Sequence, residues 1–227
     1  MVTSQIVAPL APAFDLNAAH PSPQWERAAP IRFSSDWQGK NPDPALETEV
    51  RVLWSPETLY LRFVCRYRGL FVFEDSEPNG RRDRLWDRDV AEAFLQPPDC
   101  GASLRRTGEG ARPSNIDEIS RFYKEFEVAP NGMWIDLDIS PAGLADLKSG
   151  LTRSVHVDEE KQIWAAELAI PMTSLTPGFD PEQSWRANLY RVEGKIEPRT
   201  YMAWQPTNTP QPNFHVPKRF GKLLFER

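Results

Sequence analysis

The chain has 227 residues, 40% of them hydrophobic, and a formal charge of −5; all-β units of about 200 to 250 residues are ordinary, so a single domain over residues 1–227 with a sizeable core is expected. Its basic residues, among them Arg51, Arg62, Arg66 and Arg68, are scattered rather than blocked, which leaves no footprint for a phosphate backbone and excludes nucleic acid as a partner. No run of about 18 apolar residues occurs, so no membrane partner is expected.

The opening MVTSQIVAPLAPAF lacks a basic n-region and a long apolar stretch, so a cytoplasmic location is expected, or an extracellular one if a leader has been removed. Residues 1–30 carry Pro9, Pro12, Pro21, Pro23 and Pro30 and read as extended, surface-running chain. Two cysteines without CxxC or Cys/His spacing give neither a disulfide framework nor a zinc site. Cys65 falls in an apolar strand pattern and reads as a small core residue.

Next comes the clearest periodicity. Val50, Val52 and Trp54 alternate with Arg51 and Leu53; beyond the turn Ser55-Pro56-Glu57-Thr58, Leu59, Leu61, Phe63 and Cys65 alternate with Tyr60, Arg62, Val64 and Arg66. This predicts a β-hairpin with one buried face. Further strands are expected at 89–95, 122–128, 133–139, 152–157, 163–170, 185–193, 200–204 and 222–225, with Pro130-Asn131-Gly132 a turn between two of them. Residues 96–117, with Pro97-Pro98 and little hydrophobicity, read as a loop insertion. Only Met172–Leu175, after Pro171, suggests a helical turn. The class is therefore all-β, a β-sandwich of jelly-roll type with antiparallel strands and long loops.

Of eight tryptophans, Trp54, Trp134, Trp164 and Trp185 lie in strand patterns and read as core. Trp86 stands instead in the charged run Arg84-Leu85-Trp86-Asp87-Arg88-Asp89, and Phe214 in Pro210-Gln211-Pro212-Asn213-Phe214-His215. A flat ring on a loop suits a sugar, whose C–H face packs on a π surface while polar neighbours bond its hydroxyls; anchoring the loop is the competing role.

Glu125 and Glu127 share one strand face at roughly 7 Å, a spacing open to an inverting glycosidase pair, and Glu92 could join them. The plainer reading of acids two apart is a solvated strand face. His156 alternates with Val155 and Val157 as a strand-face residue, and no Ser/His/Asp set, HExxH or phosphate loop is present. Asp136 and Asp138 offer oxygens for calcium but lack a loop pattern.

Three ordered stretches resemble the family 9 carbohydrate-binding modules, which occur attached to xylanases and as stand-alone bacterial proteins. They are Val50-Arg51-Val52-Leu53-Trp54 running to Leu59-Tyr60-Leu61; Leu85-Trp86-Asp87-Arg88-Asp89-Val90-Ala91-Glu92-Ala93-Phe94; and Trp204-Gln205-Pro206-Thr207-Asn208, then Phe214 and Pro217-Lys218-Arg219-Phe220-Gly221. The resemblance implies a jelly-roll sandwich, structural calcium in many members, no required cofactor, and non-catalytic binding of a mono- or oligosaccharide between two aromatic rings. Trp86 matches the first ring and Phe214 the second; Glu92 and Asn208 match residues that bond hydroxyls. Glu127 stands where the family keeps an arginine, and Tyr190 where it keeps a glutamine. These exchanges remove donors from the polar half of the site. Two other functions stay open: a glycoside-active enzyme using Glu92, Glu125 or Glu127, and a haem-binding sandwich resembling DOMON modules, which needs a Met or His axial ligand. Oligomeric state is not legible.

Overall fold

The computed structural model describes residues 4–77, 79–98 and 122–227. Most of the insertion expected at 96–117 therefore lies outside the described residues. Strands β1 (Gln5–Pro9), β5 (Val90–Gln96), β6 (Tyr123–Val128), β7 (Trp134–Ser140), β8 (Gly143–Asp146), β11 (Trp185–Glu193), β12 (Thr200–Ala203) and β13 (Gly221–Glu226) form one sheet in the order β1-β13-β11-β5-β6-β7-β8, with β12 also on β11. Strands β2 (Ile31–Phe33), β3 (Thr48–Trp54), β4 (Thr58–Arg66), β9 (Thr152–Asp158) and β10 (Ile163–Pro171) form the other, ordered β2-β3-β4-β10-β9. The expected all-β sandwich is the observed fold, and Met172–Leu175 is a single helical turn, α1. All named strand pairs are antiparallel except β1 with β13.

Alternation explains the layers. Ala91, Ala93 and Leu95 of β5, Phe126 and Val128 of β6, and Trp185, Ala187 and Leu189 of β11 point inward. They meet Val50 and Val52 of β3, Leu61, Phe63 and Cys65 of β4, and Trp164, Ala166 and Leu168 of β10. Interdigitated apolar side chains of two facing sheets are the ordinary core of a sandwich. Trp54, Trp164 and Trp185 are buried as expected, whereas Trp134 is half-buried, its Nε1 donating to the Asn79 carbonyl at 3.1 Å and its ring under Arg153.

The hairpin β3–β4 buries both faces rather than one, because the N-terminal segment covers its outer side. Ala11, Trp25 and Ala28 pack on Leu53 and Tyr60, and the Phe14 ring stacks on Tyr60 at 4.5 Å. Arg51, on that outer face, donates from Nη1 to the carbonyls of Ala28 (2.7 Å) and Trp25 (3.1 Å). Residues 1–30 are thus not simply surface-running chain: β1 is a strand, with Ile6 and Ala8 in the core. Proline obscures this, since Pro9 occupies the last position of β1, where a missing N–H is tolerated.

β1 can lie against β13 only because residue 221 has no side chain. A Cβ at Gly221 would stand 2.5 Å from Trp204 Cη2 and 2.7 Å from the Ser4 carbonyl oxygen. Gly221→Ala is therefore expected to lower stability by about 1 to 3 kcal/mol, the usual penalty of overpacking, read as a lower urea midpoint at unchanged slope. A wild-type midpoint would contradict so close an approach.

Candidate functional site

The outer face of the larger sheet carries the site. Opposite the core-facing residues, alternation turns Val90, Glu92 and Phe94 of β5, Tyr123, Glu125 and Glu127 of β6, and Tyr190 and Val192 of β11 away from the sandwich interior. A second apolar cluster forms there with Leu85, Ile135, Leu137, Ala203, Phe214 and Phe220. This face is covered by the 3-10 turn Leu85–Asp87, by β12, and by the segment running from β12 to β13.

Aromatic rings build its floor and one wall. Phe94 stacks on Tyr123 at 5.4 Å and meets Tyr190 edge-on at 4.9 Å; Tyr190 lies parallel to Phe214, centroids 4.1 Å apart at 10°. The Tyr190 hydroxyl donates to the Phe214 carbonyl at 2.9 Å and accepts from Asn188 Nδ2 at 2.7 Å. Asn188, fully buried, also takes the Gln205 N–H and donates to the Gln205 carbonyl, each at 2.9 Å. Trp37 holds the same segment by its Nε1 bond to the Thr209 carbonyl at 2.9 Å. A proline-rich stretch with little regular structure is in this way fixed in place by side chains from distant strands.

Between these elements lies a cavity of about 180 Å³, lined by Trp86, Glu92, Phe94, Glu125, Leu144, Val192, Arg199, Tyr201, Pro212, Asn213, Phe214 and His215. Arg199 ties the rim together, donating from Nη1 to the Trp86 carbonyl (2.7 Å), from Nη2 to the Tyr201 hydroxyl (2.6 Å) and from Nε to Glu197 (3.0 Å). Asp89, buried beside Trp86 in sequence, accepts from the Gly194 N–H (2.6 Å) and the Phe71 N–H (2.9 Å), anchoring two of the flanking loops.

Glu125 and Glu127 are not on a solvated face, as their spacing suggested. Glu92, Glu125 and Glu127 are each at most 2% exposed, and each offers a carboxylate oxygen within 4.8 Å of those of the other two. Glu92 faces Glu127 directly across the β5–β6 ladder, a like-charge pair that is destabilising when both are ionised. Burial pushes Glu127 well above the usual carboxylate range, helped by Glu92 and Glu125; burial and then the Glu125 charge push Glu92 up, while Arg199 pulls it back. Burial also raises Glu125, offset by a hydrogen bond from Glu127 and by His215, whose Nδ1 is 3.9 Å away. Burial and mutual repulsion thus favour the protonated form of each of the three carboxyls.

The six residues singled out from sequence fare differently. Trp86, Glu92 and Phe214 line one cavity. Phe214 is only 8% exposed because Tyr190 covers one face of its ring, so it is an anchored aromatic rather than a free loop ring. Tyr190 is its buried support, and Glu127, 1% exposed, lies behind Glu92. Asn208 is exposed at φ +56°, bonds by its backbone N–H to the Trp37 carbonyl at 3.1 Å, and is not on the cavity wall.

Sequence reading missed Arg199, Tyr201 and His215 as site residues. The alternation of Arg199 and Tyr201 with Thr200 and Met202 was the available signal, and it marks a strand face without saying which surface that face meets. Asp136 accepts the N–H groups of Ser149 (2.7 Å) and Lys148 (3.3 Å), and Asp138 sits 3.3 Å from Lys124 Nζ. Of the carboxyls considered for a hydrolase, Glu92 and Glu125 line the cavity while Glu127 is sealed from it; of the axial ligands considered for haem, His215 lines it and, among the described residues, no methionine does.

Residues 148–225 match the family model described as carbohydrate-binding family 9. A protein of Arthroderma benhamiae named "Extracellular protein" is 24% identical over 198 residues, 87% of this chain and 86% of that one. Among solved structures, a candidate carbohydrate-binding protein of Bacteroides uniformis superposes with a TM-score of 0.69 at 17% identity, covering 98% of this chain and 99% of the other. A family 9 carbohydrate-binding module of Caldicellulosiruptor kristjanssonii, solved with cellotriose, gives 0.63 at 12% identity over 98% and 93% of the two chains; its glucose complex gives 0.60 at 12% over 98% and 96%. At these identities the structures show a shared fold.

The acid cluster has a signed consequence for stability. A carboxyl whose folded-state pKa is raised binds more protons folded than unfolded, so its contribution is fully present below the unfolded pKa and is lost as pH rises through the folded one. Each such group lowers stability by up to about 1.4 kcal/mol per pH unit in that window. Glu127→Gln is expected to raise the thermal midpoint at pH above neutrality and to leave it nearly unchanged in mild acid, by calorimetry across the pH range. An equal shift at both ends would show that Glu127 is not held protonated.

Proposed function

We propose that the chain binds a carbohydrate without cleaving it, seating one sugar unit in the cavity between Trp86 and the Tyr190-backed Phe214. The observation that carries this reading is the convergence of aromatic rings and a buried, unpartnered carboxylate oxygen, Glu92 Oε1, on one small open cavity. Trp86 and Phe214 offer π surface to the C–H face of a pyranose, and Glu92 accepts its hydroxyls. The cavity of about 180 Å³ falls below the span of about 300 to 1,000 Å³ typical of drug-sized ligands, which favours a terminal unit over a long run of sugars. The family 9 match and the structural neighbours named as complexes with glucose and cellotriose support the same class of ligand. The name of the Arthroderma relative supports an extracellular place of action.

Calorimetric titration with glucose, xylose and cellobiose tests the proposal. Trp86→Ala is expected to weaken binding of the preferred sugar at least about tenfold, or 1.4 kcal/mol, with little change in thermal midpoint because the side chain is half-exposed. Equal affinity in wild type and Trp86→Ala would remove the aromatic wall from the reading.

A further inference from the structure

The polar half of this cavity is built of acceptors. Glu92 is 2% exposed, and its Oε1 has no hydrogen-bond partner among the described residues. Glu125, equally buried, lines the cavity beside it, and Glu127 lies within 4.8 Å of both behind the wall. The basic side chains at the rim are otherwise engaged: Arg199 donates to the Trp86 carbonyl, the Tyr201 hydroxyl and Glu197, and His215 Nδ1 is hydrogen-bonded with the Tyr123 hydroxyl at 2.5 Å. Among the described residues no arginine or lysine lies within salt-bridge distance of Glu92 or Glu125, and His215 Nδ1 is 3.9 Å from Glu125; burial raises both carboxyls, so an incoming cation would favour their ionised form.

A buried charge without a counter-ion is costly, and an incoming cation gains most where water is excluded. Aromatic faces add to that preference, since Trp86 and Tyr201 both line the cavity and an ammonium over such a ring is stabilised by its quadrupole. We propose that the sugar taken here is cationic, a 2-amino-2-deoxyhexose with a free protonated amine, its ring on Trp86 and its ammonium on Glu92. This rests on the carbohydrate reading above and names the class of sugar. A divalent cation fits less well: calcium asks for about six to eight oxygens, and beyond three carboxyl groups the surroundings are mainly aromatic and aliphatic side chains and an arginine.

The test is titration of the full chain near neutral pH with D-glucosamine, N-acetyl-D-glucosamine and D-glucose, with calcium chloride as a separate titrant. Glucosamine is expected to bind at least about tenfold tighter than the two neutral sugars, the factor set by 1.4 kcal/mol, and to lose that lead as salt is added. Glu92→Gln is expected to bring the ratio close to one; if that variant does not fold, the wild-type ratio and its salt dependence decide. Equal affinities for glucosamine and glucose overturn the amine preference while leaving carbohydrate binding intact. Absence of binding by every sugar, glucosamine included, overturns both readings. Heat from calcium chloride alone that is lost in Glu127→Gln assigns the cluster to a metal and overturns the proposal.

Discussion

Everything distinctive about the outer face of the larger sheet depends on three carboxyl groups buried side by side on β5 and β6. A sandwich gains nothing in stability from placing Glu92 opposite Glu127 across a ladder; an apolar pair there would pack the same space without desolvating acids. Burial favours the protonated form of these carboxyls, which lessens their repulsion, and the surrounding aromatic cluster packs against the same strands. Such a conflict between local stability and composition is expected where a surface is kept for a ligand.

The covering elements follow from that floor. Phe214 would be an unsupported ring in a proline-rich stretch without the parallel contact to Tyr190, and that stretch would have no fixed path without Asn188 and Trp37 bonding its backbone. Arg199 links the opposite rim by joining the Trp86 carbonyl to Tyr201. The cavity is therefore shaped by side chains on rigid strands, while the segments that line it contribute rings and little regular structure, a division of labour that preorganises a binding site.

Much of the fold was legible from alternation alone. β3 through β7 and β9 through β13 fall within a residue or two of their expected bounds, because most of them bury alternate side chains in the inter-sheet core. β1, β2 and β8 were not: β1 and β2 alternate in burial but are short and lie among prolines, and all four residues of β8 are exposed. The site was half legible. Trp86, Glu92 and Phe214 were marked by their neighbours in sequence, yet the burial of Glu125 and Glu127 is decided by residues 199–215, far along the chain. Asn208 shows the reverse error: its place in a motif suggested a ligand role, while its left-handed backbone and exposed position make it a turn residue beyond the cavity.

The central claim is that a sugar occupies this cavity, and a crystal structure of the chain soaked with a binding monosaccharide tests it most directly. The sugar ring is expected against Trp86 and Phe214, with one of its polar groups within hydrogen-bond distance of Glu92 Oε1. A sugar bound elsewhere on the chain, with this cavity holding only water, would contradict the claim.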